Sequence, residues 1–94
     1  MNIGNVIKTL RKKRGFTQKE FALKCKIGRN SMCAIERNNT KPHAANLEII
    51  CKVLKVEQPM LYLMAVEEAD VPKEKKELFK ILFPTVKSMM EQLI

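Results

Sequence analysis

At 94 residues and 46% hydrophobic content, the chain has room for one small domain, of a size at which a single core is only marginally stable and a partner surface is expected. Its net charge is +8, it has no apolar run of membrane-spanning length, and its three cysteines (25, 33 and 51) cannot all pair and lack the close doublets of a zinc site. These features exclude a transmembrane helix and a full disulfide framework, and they point to reduced thiols in the cytoplasm with no metal or cofactor. The opening "MNIGNVIKTLRKKRG" places its charges after its apolar residues, the reverse of a secretion signal.

The charge is unevenly spread. Residues 1–41 carry eleven Lys or Arg against two Glu, whereas residues 42–94 carry seven against eight acids. A basic front half suits a polyanion, and a near-neutral, oily rear half suits protein.

In chain order, Ile3, Val6, Ile7 and Leu10 recur at helical spacing, and Gly15 fits the left-handed position that ends a helix. Thr17-Gln18-Lys19-Glu20 is a capping box, in which the Thr hydroxyl takes an amide three residues on and Glu20 reaches back. It opens a second helix with Phe21, Ala22 and Cys25 inward. Lys26-Ile27-Gly28 interrupts it. Gly28 then caps a third helix that buries Met32 and Ile35. Residues 38–42 form a loop rich in turn residues. A fourth helix follows from about His43 to Lys55, with Leu47, Ile50, Cys51 and Leu54 inward, and Pro59 starts a short fifth. "VEEAD" reads as a linker. After Pro72 a last helical segment carries a dense apolar face, and Pro84 within it predicts a kink or a split, because proline lacks the amide proton and crowds the carbonyl four residues back. No strand pattern appears. The expected fold is all-α, with one helical domain in residues 1–66 and a C-terminal helical extension in residues 67–94.

Two short helices joined by a three- or four-residue turn make a helix-turn-helix. Arg11, Gly15, Thr17-Gln18, Ala22, Ile27, Arg29, Ser31, Ile35-Glu36-Arg37, Pro42, Leu47, Ile50, Leu54 and Val56, at this spacing, resemble the phage-repressor family of Cro/XRE type over residues 3–56. The resemblance implies a five-helix, lambda-repressor-like domain. It also implies an ion pair between Arg11 and Glu36, and a sequence-specific regulator of transcription that binds double-stranded DNA as a homodimer. Four positions depart from the family pattern: Lys26 and Asn38 stand where Gly is usual, and Gly28 and His43 stand where a hydroxyl residue is usual.

In this docking mode the front of the second motif helix enters the major groove. Arg bonds bidentately to guanine and Asn to adenine, while short apolar side chains meet a thymine methyl. Arg29, Asn30, Cys33 and Ala34 are therefore the expected base contacts. Gln18, Ser31, Arg37, Asn38, Asn39, Thr40 and Lys41 are the expected phosphate contacts. Lys8, Lys12, Lys19 and Lys26 read more simply as solvated lysines, and His43 as a cap or surface residue.

Leu78, Phe79, Leu82, Phe83, Val86, Met89, Met90 and Leu93 form the expected dimer interface. The competing reading folds the same residues back as intramolecular core. A second functional reading, an antitoxin-like or anti-repressor-bound module, gives the tail the main role and a protein partner to hold. Catalysis lacks a motif: there is one His, with no paired carboxylates and no nucleophile constellation.

Overall fold

The computed structural model describes residues 1–94, and every regular element in it is helical. Helix α1 spans Ile3–Lys13, α2 Gln18–Cys25, α3 Arg29–Glu36, α4 Ala44–Leu54, α5 Gln58–Ala65 and α6 Lys76–Leu93. Two single-turn 3-10 segments, Glu68–Asp70 and Lys73–Lys75, lead into α6.

Local chemistry sets the boundaries. The Asn2 side chain accepts the Asn5 amide and caps α1, and Gly15 takes a φ of +83° just beyond its end. At α2 both halves of the capping box form: the Glu20 amide donates to Thr17 Oγ1 and the Thr17 amide to Glu20 Oε1, each at 3.1 Å. Lys26 ends α2 with a φ of 56°, so this turn uses the left-handed conformation with a lysine where the family often has glycine. Asn38 does the same after α3 with a φ of 63°, and Lys55 after α4 with a φ of 58°. Pro59 sits in the first turn of α5, where its missing amide costs nothing.

Nineteen apolar side chains form one core. Ile7, Leu10, Phe21, Cys25, Met32, Ile50, Leu54 and Leu61 are sealed at its centre, so α1 to α5 all contribute. Ala22 and Ile27 are buried at the α2–α3 corner. One close approach has no counterpart in the hydrophobic pattern. A Cβ added to Gly4 would overlap the Ile35 carbonyl oxygen and lie 2.9 Å from the Asn38 nitrogen. Backbone cannot yield there as a flexible side chain would, so glycine lets α1 lie directly against the end of α3.

The C-terminal part differs from its sequence reading in two ways. "VEEAD" is folded rather than a free linker: the Glu67 amide donates to Asp70 Oδ2 at 2.8 Å, and the Met1 ammonium donates to Asp70 at 2.9 Å. Helix α6 is not split at Pro84. Pro84 lies on the exposed side, where water can satisfy the carbonyl that loses its amide partner.

The far end of α6 returns to the domain. Met90 is only 5% exposed within the core, and Ile94 packs against it. Lys13 Nζ donates to the Glu91 carbonyl, and Arg14 donates to the carbonyls of Leu54 and Ile94. Phe79 and Phe83 stack at 4.5 Å between centroids. Leu78, Leu82, Val86, Met89 and Leu93 remain exposed. Of the eight tail residues expected at a dimer interface, Met90 is thus in the chain's own core, Phe79 and Phe83 are half-buried, and five face outward. No helix is long and apolar enough to cross a membrane.

Candidate nucleic-acid interface

Helix α3 presents its front to solvent. Gly28 offers no side-chain cap, and the first intrahelical amide bond begins at Met32, which donates to the Gly28 carbonyl. Arg29, Asn30 and Ser31 are exposed at that open end, and Cys33 and Ala34 follow, half-buried. Met32, Ile35 and Glu36 point inward and fix the helix to the domain.

Beneath α3 lies a buried polar hub. Arg11 Nε donates to Glu36 Oε2 at 2.8 Å and Arg11 Nη2 to Glu36 Oε1 at 3.1 Å, a bidentate pair. The third Arg11 nitrogen, Nη1, donates to the Phe16 carbonyl at 2.8 Å. Gln18 Nε2 donates to Glu36 Oε1 at 3.3 Å. The Glu36 carboxylate therefore ties α1 and the start of α2 to the end of α3, and no buried side-chain polar atom is left without a partner. Gln18 keeps one amide N–H and its carbonyl oxygen for other contacts.

Two hollows flank α3. One, of about 320 Å³, has Arg11 and Glu36 as its floor and Lys8, Lys12, Gln18, Cys33 and Arg37 around it. The other, of about 400 Å³, holds Asn30, Ser31 and Ala34 on the α3 side, Thr40 and Lys41 in the loop, and His43 and Asn46 on the α4 side. Arg29 is exposed and lines neither. The exposed Asn39 follows α3, its backbone amide held by the Ala34 carbonyl at 2.9 Å. Asn38 is partly committed elsewhere: its Oδ1 accepts the Gly4 amide at 3.4 Å.

The electrostatics of this face are one-signed. The basic half contains two acids. Glu36 is neutralised by Arg11. Glu20 is occupied in its cap, where the hydrogen bonds from Thr17 hold its carboxyl below the usual range. The exposed charged side chains that line the two hollows beside α3 are Lys8, Lys12, Arg37 and Lys41, all positive. Burial pushes the Cys25 thiol up to about 11 and raises that of Cys51, so both are inert structural residues, while Cys33 opens into the first hollow.

Sequence reading alone did not find Gly4, whose role depends on a long-range backbone contact, or Asn46. The latter lies one helical turn after His43 and lines the same hollow as Asn30, Ser31 and Ala34 of α3, a neighbourhood that no local pattern gives. Lys8 and Lys12, read as solvated lysines, line the first hollow with Gln18 and Arg37.

Comparison with known proteins agrees with this geometry. A family model described as a helix-turn-helix domain matches residues 4–68. Among solved structures, the chain is similar to a point mutant of the restriction-modification controller protein C.Esp1396I, at 32% identity and a TM-score of 0.62, over 72% of this chain and 88% of that one. A comparison with curated proteins finds no match. An all-helical domain, an open-fronted second motif helix braced by a buried ion pair, and these two matches lead to one conclusion: the chain belongs to the helix-turn-helix family of phage-repressor, XRE type, whose members are DNA-binding regulators of transcription.

Proposed function

We propose that this regulator acts as a repressor, binding a palindromic operator as a homodimer with α3 in the major groove of each half-site. Arg29, Asn30, Cys33 and Ala34 read base edges. Gln18, Ser31, Arg37, Asn38, Asn39, Thr40 and Lys41 meet phosphates on either side, with Asn38 contributing the amide left free by its bond to Gly4. The observation that carries this reading is the exposed Arg29-Asn30-Ser31 front of a helix whose rear is locked by Arg11 and Glu36. Such a helix keeps its geometry while its front is free to bond. The 32% identity to a restriction-modification controller protein supports a regulatory role.

Residues 1–66 make up the DNA-binding unit in this scheme, and residues 67–94 supply the dimer contact through the outward stripe of α6. Selection from a random duplex pool tests it. Recovery of one two-fold symmetric motif supports the proposal, and recovery of none defeats it.

A second reading, in which the tail holds a different protein, draws on one feature. Leu63, Leu78, Phe79, Leu82, Phe83 and Val86 line an open groove between α5 and α6, almost wholly apolar. Light scattering on the full chain separates the two: a dimer occupies this face with a second copy, and a monomer leaves it for another protein.

A further inference from the structure

We infer that His43 is a phosphate contact of the DNA interface whose grip tightens when its imidazole is protonated. The inference rests on the docking of α3 in the major groove and adds a residue and a pH response to it.

His43 stands at the start of α4, beside the recognition helix, yet its side chain makes no capping bond there. Its imidazole is exposed into the hollow that Asn30 and Ser31 line from α3 and that Thr40 and Lys41 line from the loop. Asn46, on the same helix, lines the hollow as well. Lys41 is the only charged group in this hollow, and there is no carboxylate to pair with an imidazolium. The chain thus places a titratable donor next to a lysine and supplies no counter-ion. With α3 docked, a strand of the duplex backbone runs along this side of the helix and brings the missing negative charge.

The chemistry then has a definite sign. A phosphate beside His43 favours the charged imidazole, so the bound state holds the proton more tightly than the free state. The added affinity is present while the imidazole carries its proton and is lost as rising pH removes it. His43 is the single histidine in the chain, so a response in the histidine range has one candidate side chain. The N-terminal amine is already paired with Asp70 and Glu67, and hydrogen bonding to Asp70 raises it above its usual 8.0, away from this window.

The test is fluorescence anisotropy with the full chain and a labelled duplex carrying the sequence it selects from a random pool, at fixed ionic strength, at pH 5.8 and 7.4. Wild type is expected to bind at least about threefold more tightly per half-site at the lower pH. In His43→Gln, which keeps a neutral donor, that ratio collapses toward one, and the salt slope at pH 5.8 falls by about one per subunit. A wild-type affinity that does not change with pH, or a His43→Gln ratio equal to wild type, overturns the inference while leaving the DNA-docking reading intact. Failure to select any sequence strikes at the docking reading itself. Circular-dichroism melts at both pH values confirm that the variant is folded.

Discussion

Arg11 and Glu36 meet across 25 positions of sequence as a bidentate pair, 2.8 and 3.1 Å apart, with side chains only 8% and 2% exposed. A pair this deep has paid its desolvation, so its removal is asymmetric: losing one partner strands a charge, whereas losing both does not. Arg11→Ala or Glu36→Ala is expected to lower stability by roughly 3–5 kcal/mol. The double variant should lose less than the sum of the singles. Urea denaturation of the three variants measures this. Native-like stability in Arg11→Ala with DNA binding abolished would instead place Arg11 on the DNA.

Gly4 is expected to be equally intolerant for a different reason. Its missing Cβ is the space in which the Ile35 carbonyl sits. Gly4→Ala must push α1 and α3 apart, an overpacking cost of about 1–3 kcal/mol. Because α3 carries the residues proposed to face DNA, the same change should weaken DNA binding even where the protein remains folded. Gly15→Ala, by contrast, meets no neighbour, and its penalty comes only from the positive φ. Thermal melts of the two variants separate a packing role from a turn role.

The tail divides between inward and outward residues, and substitutions should divide with it. Met90→Ala opens the core and should cost about 2 kcal/mol or more. Leu82 is 53% exposed, so Leu82→Glu should leave the fold of the subunit intact and convert the proposed dimer to a monomer. Light scattering beside a melt reads both effects. A Leu82→Glu protein that stays dimeric would move the interface off the α6 stripe.

Lys41→Ala is expected to weaken binding to all duplexes alike and to reduce the slope of log affinity against log salt by about one per subunit. Titrations at three or more salt concentrations, on the selected sequence and on a scrambled one, decide this. A loss confined to the selected sequence would make Lys41 a base-reading residue.

What the sequence made legible were features written in short range. The capping box at Thr17–Glu20, the glycine after α1 and the first-turn proline of α5 each act within one turn, and each forms as the residues dictate. The helix-turn-helix was legible because a whole set of positions matched at fixed spacing. What stayed hidden was set by three-dimensional crossings. Gly4 owes its role to the end of α3, 31 or more positions away. His43 and Asn46 join the α3 hollow because α4 starts beside it. The apolar face of α6 was visible, but its division was not: periodicity marks a face as apolar without saying which of its residues the chain itself will cover. Pro84 announced a kink or a split, and the helix is not split, because it continues through proline where the freed carbonyl lies toward water.

The most direct test of the account is to repeat the random-pool selection with Arg29→Ala. Arg29 is exposed at the front of α3, and a bidentate contact from it to guanine is worth roughly 1–3 kcal/mol of discrimination. The variant should recover the wild-type motif with its two half-sites about one helical turn apart, relaxed at one base pair in each. A motif unchanged at every position, or weakened equally at all of them, would contradict the claim that the front of α3 reads base edges.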